Sequence, residues 1–270
     1  TNAFDGMTDA VVQFAMTGKL NFSQFAQSVL ADLMKIWVRQ QMVAAMNFAT
    51  GSPARRAFRS GVWSRMEPRA RMDVMYRFAR SIEEHALEFA LLDSLDVGKP
   101  ISDMLTGDVP AAALTFRFFA EAIDKVEGTV TTTASDAFHY ILRQPLGVVG
   151  CITPWNYPLL MNAWKAAPAL AVGNSVVLKP AQLSPLSATL LAQLFVRAGG
   201  PPGVFNVVHG TGSTAGKALA LHMDVDKISF TGSTDVGKLM MIYAGQSNLK
   251  RVTVETGGKS PQIITSSVPD

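Results

Sequence analysis

Apolar residues along the chain change period once, from helical spacing to short alternating runs. Phe22, Phe25, Val29, Leu33 and Ile36 recur every three or four positions behind a polar start at Asn21 and Ser23, which predicts a long amphipathic helix. A shorter helix over about Met7 to Met16 precedes it across the turn Thr17-Gly18-Lys19. From Pro68 the spacing returns. Met72, Met75, Tyr76, Ala79 and Ile82 trace one helix face, and Leu87, Ala90, Leu91 and Leu95 trace a second that ends at Gly98 and Pro100. A third helix is predicted from Asp108 as its cap, with Pro110 in the first turn and Phe119, Ala122, Ile123 and Val126 turned inward.

Segments Gly128 to Thr133 and Phe138 to Leu142 read as two strands, and after them short apolar runs alternate with helical segments. The runs are Val148 to Ile152, Val176 to Leu178, Phe205 to Val208, Lys227 to Phe230 and Val252 to Glu255. Five such strands joined by helices imply right-handed crossovers and a parallel sheet covered on both faces. The expected fold is α/β, an open doubly wound parallel sheet with an N-terminal helical segment.

Composition narrows the partners. With 48% hydrophobic residues over 270 positions the chain can bury a substantial core. Its net charge of +3 comes from dispersed residues with no aromatic-interleaved basic run, so nucleic acid is not expected. Cys151 is the only cysteine, which excludes an internal disulfide, and no Cys/His cluster has metal-ligand spacing. A reducing, cytoplasmic setting is expected. The most apolar window, Leu159 to Leu178, is interrupted by Asn162, Lys165, Pro168 and Asn174, and no membrane span is expected. The start Thr1-Asn2-Ala3-Phe4-Asp5 has neither a signal core nor an initiator Met, so an internal fragment is expected.

In doubly wound sheets ligands bind outside the carboxyl ends of the strands. Gly232-Ser233-Thr234-Asp235-Val236-Gly237 follows the strand ending at Phe230 and opens a helix with Val236, Leu239, Met240 and Tyr243 inward. Glycine admits close backbone approach and the helix start offers free N–H groups to an anion. Alone, this is also an ordinary strand-to-helix turn. Lys238 gives it a P-loop look, but Leu239 stands where magnesium needs a hydroxyl. A second cluster, Gly210 to Gly216, is one residue too long for the dinucleotide fingerprint.

Pro154-Trp155-Asn156-Tyr157-Pro158, Lys179-Pro180-Ala181, Phe230-Thr231-Gly232-Ser233-Thr234 and Glu255-Thr256-Gly257-Gly258-Lys259-Ser260-Pro261 occur in that order. Together, over about Ala54 to Pro269, they resemble the cofactor half of an aldehyde dehydrogenase, with a Rossmann-like NAD(P)-binding domain over 54–270. Among such enzymes the likeness is greatest to those acting on aminoaldehydes such as gamma-glutamyl-aminobutyraldehyde. The resemblance implies NAD or NADP as cofactor. It places the pyrophosphate along Gly232 to Gly237 with Ser233 as phosphate contact, and the adenosine ribose at Lys179. Further cofactor contacts are implied for Ile152, Trp155, Phe230 and Val236, and for Gly212 and Gly216 of the second cluster. Gln182 stands where the family often has Glu. A carboxylate repels a 2′-phosphate and a neutral amide does not, so NADP is admitted.

The same resemblance makes Asn156 the side-chain donor of an oxyanion hole and Glu255 the general base for thioester hydrolysis. It also implies a part for Lys165 in positioning the cofactor, beside the plain reading of a solvated lysine at the core edge. Thr256 replaces the more usual Leu. The family's cysteine nucleophile lies a few dozen residues past the glutamate, so a truncated, inactive enzyme lacking its catalytic domain is expected. Cys151, inside a strand, is read as core filling. His85, His139, His209 and His222 form no recognisable relay with a serine. The aldehyde substrate would be a small molecule, and strands 128–142 would pair with a C-terminal strand in a homo-oligomer.

A second resemblance covers residues 3–41. Ala3-Phe4-Asp5-Gly6-Met7, Thr17-Gly18-Lys19 and the run Phe25 to Leu33 resemble the C-terminal region of lambda-type phage tail tape-measure proteins. The chain then reads as a chimera joined between about Ala44 and Ala54, with residues 1–50 as a helical segment. The alternatives are a structural tail-protein fragment and a noncatalytic dinucleotide-binding module.

Overall fold

The computed structural model describes residues 52–258 together with Ser260, Pro261 and Ile263; the helices expected between Met7 and Ile36 lie outside the described residues. Helix α1 (Pro53–Ser60) is capped by Ser52, whose Oγ accepts from the Arg55 amide at 3.1 Å. Helix α2 (Pro68–Glu84) buries Met72, Met75, Ala79 and Ile82 as the spacing predicts, with Phe78 among them. Helix α3 (Ala86–Val97) closes at Gly98, left-handed at φ 71°.

Two helices depart from the faces their spacing predicts. In α3 the buried residues are Glu88, Phe89, Ala90, Leu92 and Asp93, whereas Leu95 is exposed. Asp93 turns inward because the adjoining layer offers it a helix N-terminus. The next helix, α4 (Val109–Glu121), does not begin at an Asp108 cap. A helical turn, Ile101–Asp103, runs through a π turn, Met104–Asp108, directly into α4. Asp108 therefore sits in helical conformation and its carboxylate pairs with Lys99. The inward face of α4 is Ala112, Ala113, Phe116 and Ala120, with Ile123 following; Val126 is exposed.

Strands β1 (Thr129–Thr131) and β2 (His139–Ile141) form an antiparallel ribbon. Its apolar side chains are open: Val130, Phe138, Tyr140 and Leu142 are all more than half exposed.

The main sheet has five parallel strands in the order β5-β4-β3-β6-β7. They are β3 (Val148–Ile152), β4 (Ser175–Lys179), β5 (Phe205–Val207), β6 (Lys227–Gly232) and β7 (Arg251–Thr256). Connecting helices are α5 (Pro158–Ala171), α6 (Leu186–Arg197), α7 (Lys217–Leu221) and α8 (Thr234–Gly245). Alternation divides the strands between two cores. Val149, Cys151, Val176 and Leu178 join α2, α4, α5 and α6. Val148, Ile152, Ile228 and Phe230 join Leu219, Ala220 and Met240 from α7 and α8.

The face expected of α8 also differs. Met240 is buried and Tyr243 packs partly against the core, but Val236 and Leu239 are exposed. The helix instead approaches the sheet through Gly237 and Ala244, whose small size permits close contact.

Candidate functional site

The chain runs from β3 outward through β4 to β5, then crosses to β6 and β7, so the order reverses between β3 and β6. That reversal is where a doubly wound sheet opens a crevice at its carboxyl edge. The loop after β3 carries Trp155, Asn156 and Tyr157, all exposed, and the turn after β6 carries Ser233. Both sides of the crevice are therefore built from motifs singled out in the sequence.

A register row crosses the sheet near its carboxyl end: Lys179 beside Ile152, Ile152 beside Phe230, and Phe230 beside Val254. Ile152 and Phe230 face the α7–α8 side. Lys179 is 4% exposed, and among the described residues its ammonium makes no ion pair. Burial lowers its pKa. A buried cation at a strand end without a carboxylate partner suits a ligand that brings oxygen acceptors. Gln182 lies exposed in the loop beyond it.

Ser233 caps α8, its Oγ accepting from the Val236 amide at 3.4 Å. Helix geometry leaves the first amides of α8 without intrahelical acceptors. A Cβ on Gly237 would meet Thr256 Cγ2 at 2.9 Å, so glycine lets α8 lie against β7. For Gly237→Ala, alanine gains roughly 1 kcal/mol of helix propensity while overpacking costs about 1–3 kcal/mol, for an expected net loss of about 1 kcal/mol. A urea midpoint equal to or above that of the unsubstituted chain would contradict this close packing.

On the opposite face, Lys165 reaches from α5 and its Nζ donates to Ser229 Oγ at 3.2 Å. Burial lowers the Lys165 pKa, with the Glu255 carboxylate opposing the shift and the Lys227 charge adding to it. Thr231 Oγ1 donates to Glu255 Oε2 at 3.0 Å from the register position directly opposite. Glu255 itself is exposed. Ser229 and Thr231 were missed in the sequence. Their signal is the alternation Lys227-Ile228-Ser229-Phe230-Thr231, which puts both hydroxyls on the side away from the α7–α8 core.

The second glycine cluster lies away from the β3–β6 reversal, on the side of Lys179. Gly212 and Gly216 bound a π turn that opens α7, capped by Thr211 Oγ1 on the Thr214 amide. They follow β5, at the sheet edge opposite the β7 strand of Glu255. Cys151 is fully buried in β3, and desolvation pushes its thiol up to about 12. His209 follows β5 and is partly buried. Its Nε2 lies 2.9 Å from Thr189 Oγ1, and burial, then the Lys179 charge, lowers it to about 4. Among the described residues no three His, Cys, Asp or Glu side chains gather to hold a metal, and no helix is long and apolar enough to cross a membrane.

The family model for aldehyde dehydrogenases matches residues 37–270. The chain belongs to the aldehyde dehydrogenase family. This aldehyde dehydrogenase chain is 52% identical over 219 residues to the NADP/NAD-dependent aldehyde dehydrogenase PuuC of Escherichia coli, covering 81% of this chain and 44% of the relative. It is 49% identical over 217 residues to the aminoacetaldehyde dehydrogenase of Pseudomonas aeruginosa, covering 80% and 44%.

Among solved structures, the gamma-glutamyl-gamma-aminobutyraldehyde dehydrogenase of Burkholderia cenocepacia superposes with a TM-score of 0.77 at 57% identity, covering 81% of this chain and 44% of that one. An indole-3-acetaldehyde dehydrogenase in complex with NAD+ gives a TM-score of 0.77 at 55% identity with the same two coverages. The aldehyde dehydrogenase chain thus spans less than half the length of these relatives. A second family model, the lambda phage tail tape-measure protein, matches residues 1–47 and overlaps the first over 37–47.

Proposed function

We propose that residues 54–270 form the NAD(P)-binding part of an enzyme that oxidises an aldehyde to a carboxylic acid. The observation that carries this reading is the meeting of the Asn156 loop and the Gly232–Gly237 turn at the strand-order reversal, with buried Lys179, which has no ion pair among the described residues, one strand away. Lys179 would hold the adenosine ribose, and Gly232, Ser233 and the first amides of α8 the pyrophosphate. Ile152, Trp155, Phe230 and Val236 would line the cofactor, with Lys165 positioning it and Gly212 and Gly216 at its adenosine end. When bound, the nicotinamide supplies the hydride acceptor.

Asn156 would donate its side-chain amide to the oxyanion of the tetrahedral intermediate, an interaction worth roughly 3 kcal/mol. Glu255, held by Thr231, would take the proton of the water that hydrolyses the acyl intermediate. Cys151 is excluded as nucleophile by its burial and raised pKa, so the attacking thiolate is assigned to a cysteine outside these residues. The names of the relatives favour an aminoaldehyde as substrate. The exposed apolar side chains of the β1–β2 ribbon support homo-oligomer contacts there.

Purified 1–270 should bind NAD+ and NADP+ with affinities within about tenfold of each other, because Gln182 does not repel a 2′-phosphate. It should give no aldehyde-dependent reduction of either. Calorimetric titration and absorbance at the reduced nicotinamide band check both statements. Absence of saturable binding would overturn the cofactor reading, a hundredfold preference for NAD+ would overturn the role of Gln182, and turnover would overturn the assignment of the nucleophile.

A further inference from the structure

Two helices leave the proposed cofactor edge, and neither supplies its own side-chain cap. Helix α5 follows the Asn156 loop, with Tyr157 in the capping position and Pro158 at its first turn; α6 follows the Lys179–Gln182 loop, with Pro185 in the capping position. Tyr and Pro carry no side-chain acceptor suited to the free amides there. Both caps come from one distant helix. Asp93 Oδ2 accepts from the Leu159 amide at 3.2 Å, and Asp96 Oδ2 accepts from the Leu186 amide at 3.0 Å. Three residues apart on α3, the two aspartates share a face.

Just past the Gly98 turn, Lys99 adds a third hold. Its Nζ lies 3.9 Å from the centre of the Tyr157 ring, inside the Asn156 loop, and also pairs with Asp108. Burial raises Asp93 to about 6 and Asp96 to about 7. Neither carboxylate is placed there for solvation.

We propose that Asp93, Asp96 and Lys99 are positioning residues, through which the end of α3 clamps the Asn156 loop and the Lys179–Gln182 loop at a fixed separation for the cofactor. The proposal rests on the reading of those loops as cofactor-binding. It separates an aspartate that merely stabilises a helix from one that sets ligand geometry. A cap of the first kind lowers the unfolding midpoint and leaves the affinity of the folded protein unchanged. A cap of the second kind changes both.

The test compares Asp96→Ala, Asp96→Asn and Lys99→Met with the unsubstituted 1–270 chain. Each is measured by NAD+ titration at a temperature where its urea curve shows it folded, and by hydrogen exchange over 153–162 and 180–190. Asp96→Ala should weaken NAD+ binding about tenfold and speed exchange over 180–190, while Asp96→Asn, which keeps an accepting oxygen, should stay within about twofold. Lys99→Met should weaken binding about threefold and speed exchange over 153–162, and it serves where the alanine variant does not fold. Unchanged affinity in both Asp96→Ala and Lys99→Met would overturn the clamp, as would loss in Asp96→Asn equal to that in Asp96→Ala. If the unsubstituted chain does not bind NAD+, the cofactor reading fails, and the exchange pattern still decides whether α3 holds the two loops.

Discussion

Trp63→Ala should destabilise the chain by about 4 kcal/mol, the value expected for emptying a fully enclosed aromatic site. Trp63 is 0% exposed and meets Phe195 edge-on, with ring centroids 5.5 Å apart. Its Nε1 also donates to the Leu170 carbonyl at 3.0 Å. That carbonyl keeps a second donor, the Gly173 amide at 2.9 Å, so the cavity rather than an orphaned acceptor dominates the loss. Beside it, Arg71 Nε donates to the Ala171 carbonyl at 2.8 Å. The segment between α1 and α2 thereby closes the far end of α5, the helix that also carries Lys165. Urea unfolding followed by Tyr and Trp fluorescence measures the effect; a midpoint shift worth less than about 1 kcal/mol would mean that α5 is not anchored there. Trp63→Phe, which keeps most of the volume, should lose about half as much.

The central strands were legible because β3 and β4, buried on both faces, leave continuous apolar runs, whereas β6 and β7 show through alternation. Val148 to Ile152 matches β3 residue for residue, and the other four runs match their strands within two residues at either end. Helix faces were less legible, since apolar spacing weighs large side chains only. In α8 the packing surface adds Gly237 and Ala244 to Met240, and in α3 it includes a carboxylate. Asp93 and Asp96 serve partners 66 and 90 positions away along the chain, which no local window contains. The same limit hid Thr231, whose partner Glu255 is 24 positions away and adjacent only once β6 and β7 pair. The motif residues were visible because each stands at the end of an apolar run. What spacing could not supply was their division between faces, with Lys165 and Glu255 on one side and Ile152 and Phe230 on the other.

Lys179→Met should move stability and cofactor affinity in opposite directions. The side chain of Lys179 is nearly enclosed and its charged form is disfavoured by burial, the only cause of its lowered pKa. A thioether of similar length fills the same space without that desolvation, so the variant should be more stable by about 1–2 kcal/mol at neutral pH. The sign of the pH effect follows. A lysine whose folded pKa lies below its unfolded value binds fewer protons in the folded state, so its penalty is fully present below the folded pKa. Stability rises as pH climbs from the folded pKa toward 10.5. The methionine variant should lack that alkaline rise, and unfolding midpoints at pH 7 and pH 10 would show whether it does. Affinity should fall, because a charge-assisted hydrogen bond to the ribose, worth about 1.5–3 kcal/mol, has been removed, giving roughly ten- to hundredfold weaker binding of both NAD+ and NADP+. A variant that loses stability and affinity together would mark Lys179 as a structural residue. One that gains stability and keeps its affinity would move the adenosine ribose away from the end of β4.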